Sequence, residues 1–373
     1  FLLSAMREQA EALRRAGFQV HYFSLSDQFD VSEALTASAR ASAATRLLYF
    51  DSEERGLTQV ISQTCSRLGL RRKVLRSPLF LLCDRTVDDY FASAKKPRMA
   101  AFYRRQRVHM KLLLDGERPL GGRWSFDESN RQRLPREQPA PDLPPIRHSA
   151  ITRQCLKEVG ERYPDHPGDA GQLWLPTTRQ GALDWFDRFL EERLVGFGTY
   201  EDALSLRSPT LFHSVLSPFL NIGLLTPDEV IARTLEAADD RPVPLNDLEG
   251  FIRQIVGWRE FMRGAYRHHR HAMRTRNIWG AERIPTADWL NGRTGLDPLD
   301  RAIRTTLDYG WNHHIERLMV IANLMNLAEI HPSEIYRFFM THYIDAYDWV
   351  MVPNVFGMGL TSDGGIFTSK PYM

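Results

Sequence analysis

Apolar positions along the first 75 residues switch between two spacings. Leu3, Met6, Ala10 and Leu13 fall on one helical face, Gly17 follows as a stop, and residues 18–25 then read as a strand. A strand at residues 46–50, a helix around 61–68 and a strand near 73–75 continue the alternation. Helix and strand in turn imply an α/β layer on a parallel sheet, Rossmann-like in plan. Because the first helix should itself follow a strand, part of that sheet is expected upstream of Phe1.

From residue 183 onward the spacing is helical almost throughout. Helices are predicted around 183–194, 228–238, 248–266, 300–309, 314–327 and 333–344, separated by short Gly, Pro and Asn punctuation. In the third, Phe251, Ile255, Trp258, Met262 and Tyr266 form one apolar stripe, which is ordinarily a core face. Between the two patterns lie five prolines, Pro135, Pro139, Pro141, Pro144 and Pro145, the mark of a semi-rigid extended connection. The expected organisation is an α/β domain over 1–133, a linker over 134–175 and an all-α domain over 176–373, cut short at its C-terminal end.

Composition narrows the class. A chain of 373 residues with 43% hydrophobic residues and a net charge of +2 is neither disordered, collagen-like nor a disulfide scaffold. No apolar run approaches the ~18 residues of a membrane span. Cys65, Cys83 and Cys155 lie too far apart for a metal cluster or a paired framework, so a reducing, cytoplasmic setting and a monomer are expected.

Charge adds a second clue. Only six of the 48 basic residues are Lys; codon usage accounts for this without invoking function, although guanidinium groups bind phosphates bidentately. Residues 96–136 hold eleven basic and four acidic side chains, with Phe102, Tyr103, Trp124 and Phe126 interleaved. Residues 253–276 hold seven Arg against Glu260 alone, with His268, His269 and His271. Taken singly, most such charges are solvated helix faces. Two basic segments in a near-neutral chain nevertheless imply a polarised surface suited to nucleic acid.

No GxGxxG, Walker loop, HExxH, Gly-x-Ser-x-Gly or CxxC pair appears. Three other segments carry chemistry. In Leu211-Phe-His-Ser-Val-Leu-Ser-Pro-Phe-Leu-Asn-Ile-Gly223, Ser214 and Ser217 stand three apart before a proline, where hydroxyls and free N–H groups of a helix start can converge on an anion. Gly257-Trp-Arg-Glu-Phe261 sets Arg259 beside an aromatic. Trp311-Asn-His-His-Ile-Glu-Arg-Leu-Met319 is followed by Asp345-Ala-Tyr-Asp-Trp349 and Val352-Pro-Asn-Val-Phe-Gly-Met358. Adjacent histidines on a helix diverge, so at most one points into a given cavity. With no Cys nearby and no His pair at i, i+4, acid–base use is better supported than metal binding.

Read together, these segments resemble the flavin-binding helical domain of the photolyase/cryptochrome superfamily. More closely, the chain resembles the bacterial deoxyribodipyrimidine photolyase-related proteins, whose best understood members are prokaryotic (6-4) photolyases. The matches run in order along nearly the whole chain, through Ala16-Gly-Phe-Gln-Val-His-Tyr22, Asp115-Gly-Glu-Arg-Pro-Leu-Gly-Gly-Arg-Trp-Ser-Phe-Asp127, Phe197-Gly-Thr-Tyr-Glu-Asp-Ala203, His313-His-Ile-Glu-Arg-Leu-Met319 and Asp363-Gly-Gly365 before Lys370-Pro371. The resemblance implies an α/β antenna-type domain, which in relatives holds a ribityl lumazine, and a helical domain enclosing FAD. It places Tyr200, His213, Ser214, Leu216, Ser217, Arg259, Arg317, Asp345, Asp348 and Asn354 at the cofactor, with Arg317–Asp345 as an ion pair at the flavin.

The implied activity is light-driven repair of UV-damaged double-stranded DNA by electron transfer from reduced FAD to a flipped-out lesion, near the nucleoid of a bacterium. His314, and second His313, would supply the proton that a (6-4) lesion requires. Arg253, Arg263, Arg267 and Arg270 would hold phosphates. Two departures stand out. Pro298 occupies the place of a cysteine that holds a [4Fe–4S] cluster in many members, so no iron–sulfur cluster is expected. Phe338 and Phe339 stand where oxidisable Trp and Tyr relay electrons to the flavin, which leaves a cryptochrome-like receptor without repair activity as the alternative.

Overall fold

The computed structural model describes residues 1–24 and 30–367. Its N-terminal part contains α1 (Leu2–Arg15), α2 (Val31–Ala41), β1 (Arg46–Phe50), α3 (Arg55–Leu68), β2 (Arg71–Leu75), α4 (Asp84–Ser93) and α5 (Met99–Met110). β1 and β2 pair in parallel, Arg46 opposite Arg71 through Phe50 opposite Leu75, with α3 as their crossover. Residues 18–24 form no strand: among the described residues they join no ladder. Leu25, the end of that predicted strand, lies outside the described residues, as do Lys370 and Pro371.

After a short hairpin of β3 (Leu114–Asp115) and β4 (Arg118–Pro119), residues 139–149 carry neither helix nor strand. The segment expected as a linker is not extended throughout. It contains α6 (Ala150–Arg162), capped by the Ser149 hydroxyl on the Thr152 N–H and buried through Thr152 and Cys155; Arg7 of α1 reaches Glu158 at 2.5 Å.

Helices fill the remainder: α7 (Arg179–Glu192), α8 (Ser217–Ile222), α9 (Pro227–Asp240), α10 (Leu245–Ile252), α11 (Glu260–Thr275), α12 (Ala287–Leu290), α13 (Asp297–Tyr309), α14 (Asn323–Leu327), α15 (Pro332–His342) and α16 (Asp348–Val352). Starts follow from local chemistry: Thr178 caps α7 on Gly181 N–H, and Thr226 with Pro227 opens α9. Three stretches among the described residues widen to π-helix, Arg253–Arg259 joining α10 to α11, Glu316–Ala322 running into α14, and Pro353–Gly359 following α16.

One apolar cluster runs from Ala5 through Phe80, Phe91 and Phe102 to Phe189, Phe251, Phe261 and Trp349, so the N-terminal and helical parts share a core. A second, smaller cluster gathers Leu299, Ile303, Ile321, Phe338, Phe339 and Val355. The stripe on the long helix packs inward, with Phe251, Ile255, Met262 and Tyr266 all buried. No described helix is long and apolar enough to cross a membrane.

Candidate functional site

The segment ahead of α8 is held in an unusual backbone shape. Leu211 and Val215 take positive φ, 44° and 54°, a region that a β-branched residue occupies at a cost. Buried side chains fix the loop between them: Trp185 Nε1 donates to the Ser214 carbonyl at 2.9 Å, and Arg193 Nη1 to the His213 carbonyl at 3.1 Å. Leu216 is buried, and Tyr200 lies against Phe212 with ring centroids 5.2 Å apart.

From this loop a polar chain leads across the helical part. Ser217 Oγ donates to Asp345 Oδ2 at 2.6 Å, and Asn221 Nδ2 donates to the Asp345 carbonyl at 2.8 Å. Arg317 meets the same carboxylate bidentately, Nη1–Oδ1 3.0 Å and Nη2–Oδ2 3.1 Å, while its Nε donates to the Asn312 carbonyl at 2.7 Å. Asp345 is buried, and the guanidinium lies 4.3 Å from the Tyr343 ring centre. Such a pair is stable only because every charged atom has a partner.

Arg259 acts from behind this chain. Its Nη1 donates to Asn221 Oδ1 at 2.6 Å and its Nη2 to the Leu79 and Leu220 carbonyls, with Phe80 and Trp349 beneath the guanidinium. Asp348 belongs to a different knot, accepting from Tyr266 at 2.9 Å and from Tyr336 and Arg274. Asn354 Nδ2 is turned to the Val350 carbonyl at 2.7 Å. Arg259, Arg317 and Asn354 each sit in one of the three π-helical stretches. π-bulges recur at functional sites because they rotate side chains away from the α-helical register; the sequence carries no signal for them.

The histidines depart from the sequence expectation. His313 precedes the helix instead of lying on it, so it and His314 converge, and His213 joins them from the strained loop. Potential ligand nitrogens of all three lie within 4.8 Å of one another. His213 and His313 stack at 4.7 Å and 18°, with His314 5.6 and 5.8 Å away. His314 is exposed, and its Nε2 meets Asp202 Oδ1 at 3.0 Å; the other oxygen of Asp202 is 3.2 Å from Arg131 Nε.

Burial pushes the His213 imidazole down to about 3 and holds His313 well below the ordinary histidine range, with neighbouring positive charge adding to both effects. Both are therefore neutral near pH 7, which counts against His313 as a proton donor. His213 was legible only as part of the Ser-x-x-Ser segment, since 100 residues separate it from the pair.

Three of the four arginines expected at phosphates, Arg253, Arg263 and Arg267, are a correction. Arg253 is buried between Asp127 (2.8 Å), Glu201 (3.6 Å) and Glu249 (3.7 Å). Arg263 is buried on Glu53 (2.6 Å) and Asp84, and Arg267 is engaged by Glu53 (3.2 Å), Asp84 (3.0 Å) and Asp88 (3.5 Å). Arg253 and Arg263 are buried and their charge is met by carboxylates, and half-buried Arg267 is matched by three, so these charges are spent inside the protein and are not presented to a phosphate. Arg270 lies over Tyr266 and is half-buried. Phe338 and Phe339 are both buried, the latter stacked on Tyr343 at 5.2 Å. Pro298 stands in the first turn of α13. A cleft of about 750 Å³ between α1 and α6 shares no lining residue with this site.

Comparison with known proteins decides the family. A model of deoxyribodipyrimidine photo-lyase-related proteins matches residues 1–174, and the FAD binding domain of DNA photolyase matches residues 251–369. Over its whole length the chain is 33% identical to the (6-4) photolyase of Agrobacterium fabrum, covering 74% of that protein. The chain belongs to the photolyase/cryptochrome family. This photolyase-related chain is also 41% identical, over 30% of its length, to 85% of an uncharacterized protein of Acanthamoeba polyphaga mimivirus.

Among solved structures, the photolyase-related chain is similar to a bacterial class III photolyase from Agrobacterium tumefaciens, with a TM-score of 0.63 at 18% identity over 96% of this chain and 70% of the other. It is also similar to a cryptochrome of Synechocystis sp. PCC6803, with a TM-score of 0.61 at 16% identity over 92% of this chain and 67% of the other. Its fold is therefore the photolyase/cryptochrome fold, an α/β part with a small parallel sheet followed by a helical FAD-binding domain.

Proposed function

We propose that the chain is a light-dependent DNA lyase that repairs (6-4) pyrimidine photoproducts. The observation that carries this reading is the contiguity of two sites: the Arg317 N–H donates to the His313 carbonyl at 3.2 Å, so the Arg317–Asp345 pair and the imidazole cluster share one helical turn. The 33% identity to a protein named (6-4) photolyase supports the lesion class.

The donor set fits FAD, since a paired guanidinium and carboxylate, a serine hydroxyl and two carboxamides suit the polar edge of an isoalloxazine. Arg317, Asp345 and Asn354 would hold that edge, and Tyr200, Ser214, Leu216 and Ser217 would line the remainder. Arg259 would keep α8 in place through Asn221, and Asp348 would tie α11 to α15. When bound, FAD supplies the light-driven one-electron chemistry. A lesion flipped out of the duplex would meet His314, whose Nε2 is held by Asp202 and whose other ring nitrogen is left to deliver a proton to the transferred oxygen. His213 and His313, kept neutral by burial, would shape the pocket. Arg131, beside Asp202 at the rim, is placed to meet a phosphate.

No iron–sulfur cluster is part of this reading. Pro298 offers no thiolate, and Cys65, Cys83 and Cys155 are dispersed over α3, the start of α4 and α6. The test is a repair assay under blue light on DNA carrying (6-4) or cyclobutane lesions. His314→Ala should keep the flavin absorbance and lose (6-4) repair; full repair by that variant overturns the His314 role, and protein that takes up no FAD overturns the reading altogether. A cryptochrome-like receptor is the second reading, supported by Phe338 and Phe339 in place of oxidisable side chains. It predicts bound FAD with repair of neither lesion.

A further inference from the structure

Two ring nitrogens in the imidazole cluster have no partner. His213 Nε2 and His313 Nε2 are both buried and neither accepts nor donates a hydrogen bond, a rare condition for buried polar atoms. They belong to stacked rings 4.7 Å apart, and one ring nitrogen from each of these two histidines and one from His314 lie within 4.8 Å of one another.

The third member is oriented as a metal-bound histidine usually is. Asp202 accepts from His314 Nε2 at 3.0 Å, which fixes the ring and leaves Nδ1 for a ligand; a carboxylate behind an imidazole both aims it and raises its basicity. Glu201 and Glu316 add carboxylates close by; of the guanidiniums that act on the cluster, Arg317 is paired with Asp345 and Arg193 donates to the His213 carbonyl at 3.1 Å. Three imidazoles without a thiolate select borderline cations and leave one position open for water.

We propose that His213, His313 and His314 form a binding site for a divalent transition-metal ion of the zinc, nickel or copper type, and that its occupancy blocks repair by engaging the imidazole at the lesion. The second half rests on the function proposed above; the first does not. Metal–nitrogen bonds of about 2.0–2.1 Å bring tetrahedral ligands to within roughly 3.4 Å of each other. The ligand nitrogens need therefore draw together by no more than about 1.4 Å, and side-chain rotation of exposed His314 supplies its part of that movement. His313 Nδ1 accepts a long 3.3 Å bond from the Ile315 N–H. Binding through Nε2 shifts the ring proton to Nδ1 and gives up that bond in exchange for a ligand on a nitrogen that otherwise has none.

Zinc alone is the probe, titrated in the dark and without DNA into the full chain loaded with FAD, with a chromophoric chelator as competitor. One zinc per chain is expected, weakened tenfold or more in His213→Gln and in His314→Gln. Because His314 is exposed, its variant should fold even if the His213 variant does not, and circular dichroism checks both. Absence of saturable binding, or binding unchanged in His314→Gln, overturns the site. One equivalent of zinc should also suppress (6-4) repair by wild-type protein, with recovery on chelation. Binding that leaves repair intact overturns the inhibitory half only, whereas failure of repair in metal-free protein counts against the proposed function and not against the site.

Discussion

Glu260 is wholly buried, with Oε1 accepting the Leu81 N–H at 2.7 Å and Oε2 3.9 Å from Arg263. Desolvation wins over these favourable contacts and pushes its carboxyl up to about 7. The folded state then binds this proton more tightly than the unfolded chain, so ionisation of Glu260 lowers stability as pH climbs from about 4.5 to about 7 and changes nothing further above that window. Glu260→Gln keeps the neutral form at every pH. Its melting temperature relative to wild type should therefore rise between about pH 5 and about pH 7.5 by a few degrees; a constant difference across that range would show that Arg263 already keeps Glu260 ionised.

Asp345 gives the opposite case, because here the charge is matched. Asp345→Ala leaves Arg317 without its carboxylate and should cost about 3–5 kcal/mol in denaturant unfolding, together with FAD retention. The Arg317–Asp345 pair was legible through the family resemblance that segments 311–319 and 345–349 carry; spacing alone suggests no more than a salt bridge between helices. Arg253 and Arg263 were misread. A run of arginines looks the same whether its partners are phosphates in solution or Glu53, Asp84 and Asp127 brought from far upstream.

At the level of elements, α11 lies so close to α4 that a methyl group on Gly264 would overlap Phe91 and Val87. Alanine would gain helix propensity by about 1 kcal/mol, yet overpacking costs about 1–3 kcal/mol. Gly264→Ala should thus be destabilising by up to about 2 kcal/mol in urea unfolding, and the loss should shrink when Phe91→Leu opens space. Most long helices were legible from spacing, including 314–327. α5 escaped because Gln106 and Arg107 share its buried face with Phe102 and Tyr103, which erases the polar side of the pattern. Arg107 is buried there to hold the Leu112, Leu113 and Trp124 carbonyls. The strand expected at residues 18–25 had a strand's composition, yet residues 18–24 join no ladder among the described residues, since β-structure is a property of pairs.

Across the whole molecule, Arg263 and Arg267 clamp α11 to Glu53, Asp84 and Asp88 of the N-terminal part, while Arg253 clamps the Asp127 loop. Arg263→Ala should lower stability by up to about 3 kcal/mol, because buried Glu53 then keeps only its contact with Arg267. Replacing Arg263 by Met and Glu53 by Leu together should restore much of that loss, as read from the midpoint of denaturant unfolding. The charge arithmetic of the sequence suggested a polarised exterior; much of that charge is instead spent at this seam.

The shared core also has a consequence for synthesis. Phe80, Leu82 and Phe91 pack on Phe261 and Trp349, partners made 170 or more residues later. At roughly 5–20 residues per second the ribosome needs about ten seconds to a minute to deliver them. During that interval the leading half of the chain carries aromatic side chains with nothing to cover them, so its productive folding in the cell should depend on chaperones that bind nascent hydrophobic segments.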